Sequence, residues 1–163
     1  MPHQPFEAAW RTLTATFGLY GRKFGTFTAL SLFPATARVA YVLKPSWMSG
    51  AVSGVVELIV ALCRIALVLA ALRVAWPHDL AGVQASLTQG RPFSRVSWLE
   101  VVWQVLMFST VIYALNAGAD WLVRMSVESP DLQPANRFVL KNLFIIPFAT
   151  LYVLVALRTV LHL

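Results

Sequence analysis

Two ionisable residues stand in the middle of the most apolar stretch of the chain. The run GVVELIVALCRIALVLAALRVAW, residues 54–76, carries Glu57 and Arg64 among aliphatic neighbours. An unpaired charge at the centre of a hydrocarbon layer costs about 2.5–3.5 kcal/mol on insertion scales, so each needs a partner. Seven residues of helix correspond to about 700° of rotation, which puts the two side chains on one face. Helical side chains lean toward the N-terminus, so the Arg64 guanidinium can reach back toward Glu57, directly or through water. Arg38 and Gln104, on neighbouring apolar runs, are the other candidate partners, and desolvation could instead keep Glu57 protonated. Arg38 lies five residues from the end of its run, near enough to snorkel to the headgroups.

Gly50, Ser53 and Gly54 fall on or close to the same face. Gly50 and Gly54 form a small-xxx-small spacing, which lets a second helix approach closely. The sequence therefore collects Gly50, Ser53, Gly54, Glu57 and Arg64 on one interface, with Gln104 and Arg38 as polar groups on adjacent spans. Three uses fit such a set: a lock between helices of this chain, a docking face for another subunit, or part of a conduction path.

No catalytic pattern accompanies these groups. An intramembrane haem needs histidine ligands within the spans, and His3, His78 and His162 all lie outside them. Nothing has the spacing of a metal site, and no Ser–His or paired-Asp set lies within the spans for proteolysis. Lys23, Lys44 and Lys141 are all at span ends, which excludes an intramembrane Schiff base. Gly18, Gly21 and Gly25 precede an apolar run rather than joining a strand to a helix, so they do not make a phosphate loop. The expectation is a protein without cofactor or catalytic centre.

The elements that must position these residues follow from composition. Of the 163 residues, 58% are hydrophobic and 12% charged, with a mean hydropathy of +0.68. A soluble fold would have too few polar residues to cover its surface, whereas lipid accepts apolar side chains outward. The expected fold is all-α, an integral membrane bundle of four transmembrane helices preceded by an amphipathic interfacial helix. The spans fall at about 24–43, 49–75, 98–122 and 143–161, each near the roughly 20 residues that a bilayer core requires. Pro34 interrupts the first and Pro147 the fourth. Trp47 and Trp76 flank the second; Trp98, Trp103 and Trp121 mark the third. Ala35-Thr36-Ala37 imitates a signal cleavage site, but the long amphipathic region ahead of it is wrong for a signal peptide.

Residues 1–23 form the amphipathic segment and 24–163 the membrane domain. Phe6, Trp10, Leu13, Phe17, Tyr20 and Phe24 recur at helical spacing, one largely aromatic face. With Arg11, Arg22 and Lys23 off that stripe, the segment suits a helix seated among anionic headgroups, with Trp10, Arg11, Phe17, Arg22 and Lys23 at the membrane surface. The same stripe would also suit packing on the bundle. Between spans two and three, Leu80, Val83 and Leu87 predict a short surface helix that stops at Gly90 and Pro92. Residues 124–137 read as a polar loop with one helical turn begun by Ser129 and Pro130.

The net charge of +6 comes from ten Arg and three Lys against seven acids. Their position beside apolar runs points to a lipid bilayer with anionic headgroups rather than to nucleic acid. With the N-terminus inside, Arg11, Arg22, Lys23, Arg73, Arg91, Arg95 and Arg158 face the cytoplasm, against Lys44, Arg124, Arg137 and Lys141 outside. This bias favours both termini cytoplasmic in a plasma (inner) membrane. The expected function is association, as an accessory or assembly subunit of a larger membrane complex or as a homo-oligomer. A small transporter or channel subunit using Glu57 and Arg64 is the alternative.

Overall fold

A computed structural model describes residues 4–43, 50–76 and 97–160. Among these the chain is helical with no strand: α1 Gln4–Arg22, α2 Phe24–Leu43, α3 Gly50–Ala75, α4 Trp98–Ser126, a 3-10 turn Pro130–Leu132, α5 Gln133–Leu140, a π-helical turn Lys141–Ile145 and α6 Ile146–Val160. The expected surface helix around Leu80, together with Trp47 and the three histidines, lies outside the described residues. Four helices are long and apolar enough to cross a membrane: α2, α3, α4 and the continuous helix Gln133–Val160.

The first two spans stand where the hydropathy places them. The third runs to Ser126, four residues further than expected, and the fourth begins at Gln133 rather than near 143. Arg137, Lys141 and Asn142 made that stretch read as a loop. In helical register, however, Ala135 and Asn142 turn inward, and the Asn142 amide donates to the Phe138 carbonyl of its own helix at 2.8 Å. A polar side chain that hydrogen-bonds one turn back can be buried at little cost. The turn expected at Ser129 and Pro130 is present as the 3-10 turn.

The last helix, α5 to α6, is the hub. Leu67, Ala71 and Ala75 of α3 pack with Leu151 and Val155, and with Phe27 of α2 and Trp76. Leu13 of α1, with Phe148 and Tyr152, forms a second cluster against Phe108, Val111 and Leu115 of α4. Tyr20 of α1 touches both clusters, stacking on Phe27 of α2, and α1 lies along α6 beside α4. It runs antiparallel to α6, with Thr12 beside Thr159 and Tyr20 reaching Leu143. The α1–α2 junction stays hydrogen-bonded in helical fashion, Lys23 N–H to Leu19 and Phe27 N–H to Lys23 at 3.1 Å each. Only Lys23 breaks the regular pattern, between Gly21 and Gly25, residues that weaken a helix.

The helix expected over 1–23 is thus present as α1, docked along α6 and α4. Its buried face is Ala9, Thr12, Leu13 and Thr16, rotated by about 70° from the aromatic stripe at 100° per residue. The two roles weighed for the stripe divide along it. Phe6 meets the edge of Trp103 at 5.3 Å and Phe17 packs on Phe148 at 4.6 Å, whereas Trp10 stays exposed. Thr12 and Thr16 serve as the close-packing face because their hydroxyls donate to Ala8 and Thr12 carbonyls of their own helix, at 3.0 and 2.8 Å.

Candidate functional site

Several polar groups within the spans can be followed to their partners. Gln104, 5% exposed, lies where α1, α4 and α6 meet. Its amide nitrogen donates to the Thr12 hydroxyl at 3.0 Å, and its amide oxygen accepts from the Tyr152 hydroxyl at 2.9 Å. Thr12 also shares a hydrogen bond with Thr159 at 3.1 Å. Four side chains from three helices form one satisfied network, which leaves no unserved polar group to penalise burial. Gln104 therefore serves α1 and α6, not Glu57 or Arg64.

A second polar contact joins α2 to α3. Arg38 approaches Glu57 at 3.5 Å, with the two side chains 33% and 47% exposed. The Arg38 guanidinium also lies over the Tyr41 ring at 5.6 Å, and the Tyr41 hydroxyl donates to the Ser53 carbonyl at 3.0 Å. Of the three candidate partners for Glu57, the structure selects Arg38. Antiparallel α2 and α3 bring these side chains together across the groove, whereas Arg64 is held about 10 Å further along its own helix. A third pair, Arg137 with Asp120 at 3.5 Å, ties α5 to α4. It is a charge contact without hydrogen-bond geometry.

Arg64 is different. It is exposed, and among the described residues no hydrogen bond or ion pair reaches its guanidinium. It lines a cavity of about 10 Å³ with Ser31 and Pro34 of α2, Cys63, and Asn142 and Ile146 of the hub, a volume near the minimum that holds one water. Three irregularities converge there: the proline of α2, the π-helical turn, and a lone cation. Pro34 has no N–H to give the Leu30 carbonyl, and Leu30 lines the same cavity.

Gly50, Ser53, Gly54, Glu57 and Arg64 do share one side of α3, as their spacing predicts. Among the described residues its Gly50–Gly54 end is open, with nothing within 4 Å of a Cβ placed at either glycine, whereas α2 meets the same side through Tyr41–Ser53 and Arg38–Glu57. Trp10, Arg11, Phe17, Arg22 and Lys23 are all exposed, and Arg11 is paired with Glu7 at 3.2 Å on the helix surface. Asn116 is spent on its own helix, donating to Ile112 at 2.8 Å.

Several contributors carry no mark in the sequence. Thr12, Tyr152 and Thr159 acquire their role only when three helices meet, and the Asp120–Arg137 pair crosses a connection expected to be a loop. Two larger depressions flank the Gln104 network. One, of about 430 Å³, lies between α1 and α6 and includes Glu7, Arg11 and Thr159; the other, of about 310 Å³, is an apolar groove between α4 and α6 floored by Phe108 and Tyr152. Comparison with protein-family models, with curated proteins and with solved structures finds no match.

Proposed function

We propose that this membrane-embedded bundle is a non-catalytic subunit that works by binding another membrane protein through its α2–α3 side. One observation carries the reading: among the described residues Gln104, Glu57 and Asp120 are engaged in contacts between helices, while Arg64 is exposed and without a partner in a span of 26 residues. A mid-span guanidinium facing acyl chains is costly. A neighbouring protein removes that cost. The Gln104 network, Arg38–Glu57 and Asp120–Arg137 then act as fasteners that hold the docking side in shape.

The orientation that goes with this reading has both termini cytoplasmic in a plasma (inner) membrane, on the basic-residue bias. The exposed Arg11, Arg22 and Lys23 of the N-terminal segment add attraction to anionic lipid. The test is purification of the intact protein in mild detergent. A stoichiometric membrane partner supports association, and a clean monomer removes it.

A transporter or channel subunit is the second reading, favoured by the meeting of Pro34, the π-helical turn and Arg64 at one cavity. Interrupted helices near the midplane are where transporters place their substrate sites. Flux through reconstituted protein separates the two: equal background flux for wild type, Glu57→Gln and Arg64→Leu rules out transport.

A further inference from the structure

We propose that the groove between α2 and α3 seats a transmembrane helix of another protein that carries an aspartate or glutamate at the depth of Arg64. This rests on the association reading and adds the chemistry of the partner.

The argument begins with depth. Arg64 stands eleven residues before Ala75 and fourteen after Gly50, the ends of α3, which is about 16 and 21 Å of helix. A lipid phosphate is beyond its side chain in either direction, so its counter-charge must lie within the hydrocarbon layer. Among the described residues no carboxylate supplies it. Glu57 is taken by Arg38, Asp120 by Arg137 and Glu7 by Arg11, and Glu100 sits in the first turn of α4.

The surroundings fit a helix rather than a small solute. Ala61, Ile65 and Val68 are exposed beside Arg64 on α3, and the cavity at its side is only about 10 Å³. Gly50 and Gly54 leave the backbone of the same side open to close approach. Along the groove the side chains Arg38, Glu57 and Arg64 sum to one positive charge, and a single carboxylate neutralises it.

A second copy does not fit. Two copies inserted the same way and related by a two-fold axis along the membrane normal hold each residue at the same depth in both, and an axis passing beside this groove sets Arg64 near its own image. Arg64 would then face Arg64, adding repulsion where the layer is driest.

The test uses the full chain in its native membrane with a photoreactive residue at Ala61. The attached peptide, read by mass spectrometry, is expected to hold an aspartate or glutamate inside an apolar run. Arg64→Leu should lower the adduct yield roughly tenfold, the size of one or two interhelical polar contacts in a membrane, and Arg64→Lys should keep most of it. If Arg64→Leu fails to accumulate, Arg64→Gln is read in its place. An adduct to a helix without an intramembrane acid, to lipid or to a second copy overturns the inference, as does a yield indifferent to Arg64→Leu. A stoichiometric partner that purifies with the protein but never labels from Ala61 overturns this inference and leaves association standing. Absence of both partner and adduct removes both.

Discussion

The Tyr20 hydroxyl donates to the Leu143 carbonyl at 3.1 Å, the carbonyl that Pro147, four residues on, has no N–H to serve. Proline inside a helix orphans the acceptor one turn before it, and in a bilayer an orphan has no water to turn to. Here the donor comes from another helix. One hydrogen bond thereby repairs the hub and fastens α1 to it, just beside the π-helical turn Lys141–Ile145.

Tyr20→Phe removes that donor and leaves the carbonyl exposed to apolar packing. The expected loss is about 1 kcal/mol, within the range for a single hydrogen bond, read as a shift in reversible unfolding in mixed micelles. Phe24→Leu, which trims a ring stacked on Phe144 at 5.7 Å and leaves the hydrogen bond intact, should cost less.

The Gln104 network makes a sharper forecast. Gln104→Leu and Tyr152→Phe should each destabilise the bundle, and the double variant should cost less than their sum, because Tyr152 donates to the Gln104 amide oxygen at 2.9 Å. The coupling expected for a polar pair between membrane helices is about 0.6–1.7 kcal/mol, measured by a double-mutant cycle. Additive losses would mean that the two side chains do not act together.

Arg38 and Glu57 form a pair that is half exposed toward the lipid side. Arg38→Leu alone strands the carboxylate and should lower the amount of protein in the membrane. Adding Glu57→Leu should restore it, since replacing both partners by apolar groups is near neutral while removing one is not. Quantitative immunoblotting of membranes reads this directly. If Glu57→Leu fails to rescue, the carboxylate has a use besides pairing with Arg38.

Much of this architecture was legible in the chain. Lipid solvation forces apolar stretches of about 20 residues into helices, so α2, α3 and the start of α4 could be placed closely. The fourth span began earlier than hydropathy indicated: Arg137 meets Asp120 only once α4 and α5 pack, and Asn142 is satisfied by the Phe138 carbonyl one turn back, which a hydropathy scale does not register. The side of α3 bearing Glu57 and Arg64 followed from helical rotation alone, but which cation pairs with Glu57 depended on how α2 lies across α3. The role of α1 was the hardest to see. Its aromatics dominate any hydrophobic pattern, yet of the four buried positions only Leu13 belongs to that stripe; the others are Ala9, Thr12 and Thr16, whose small size and self-satisfied hydroxyls give little hydropathy signal.

The basic residues outside the spans favour both termini in the cytoplasm. Phosphatase and fluorescent-protein fusions at each end should report the same compartment, cytoplasmic for both. Reversing the excess by substituting Arg22 and Lys23 with Gln and adding two lysines beside Lys44 should produce a mixed orientation.

The central claim is that the bundle exists to be occupied on its α2–α3 side. Native mass spectrometry of protein released from its own membrane in mild detergent tests it most directly. A species exceeding the 18.1 kDa chain by the mass of a distinct subunit, in fixed ratio, is the predicted result. A monodisperse species of the chain mass, with lipid only, would contradict it.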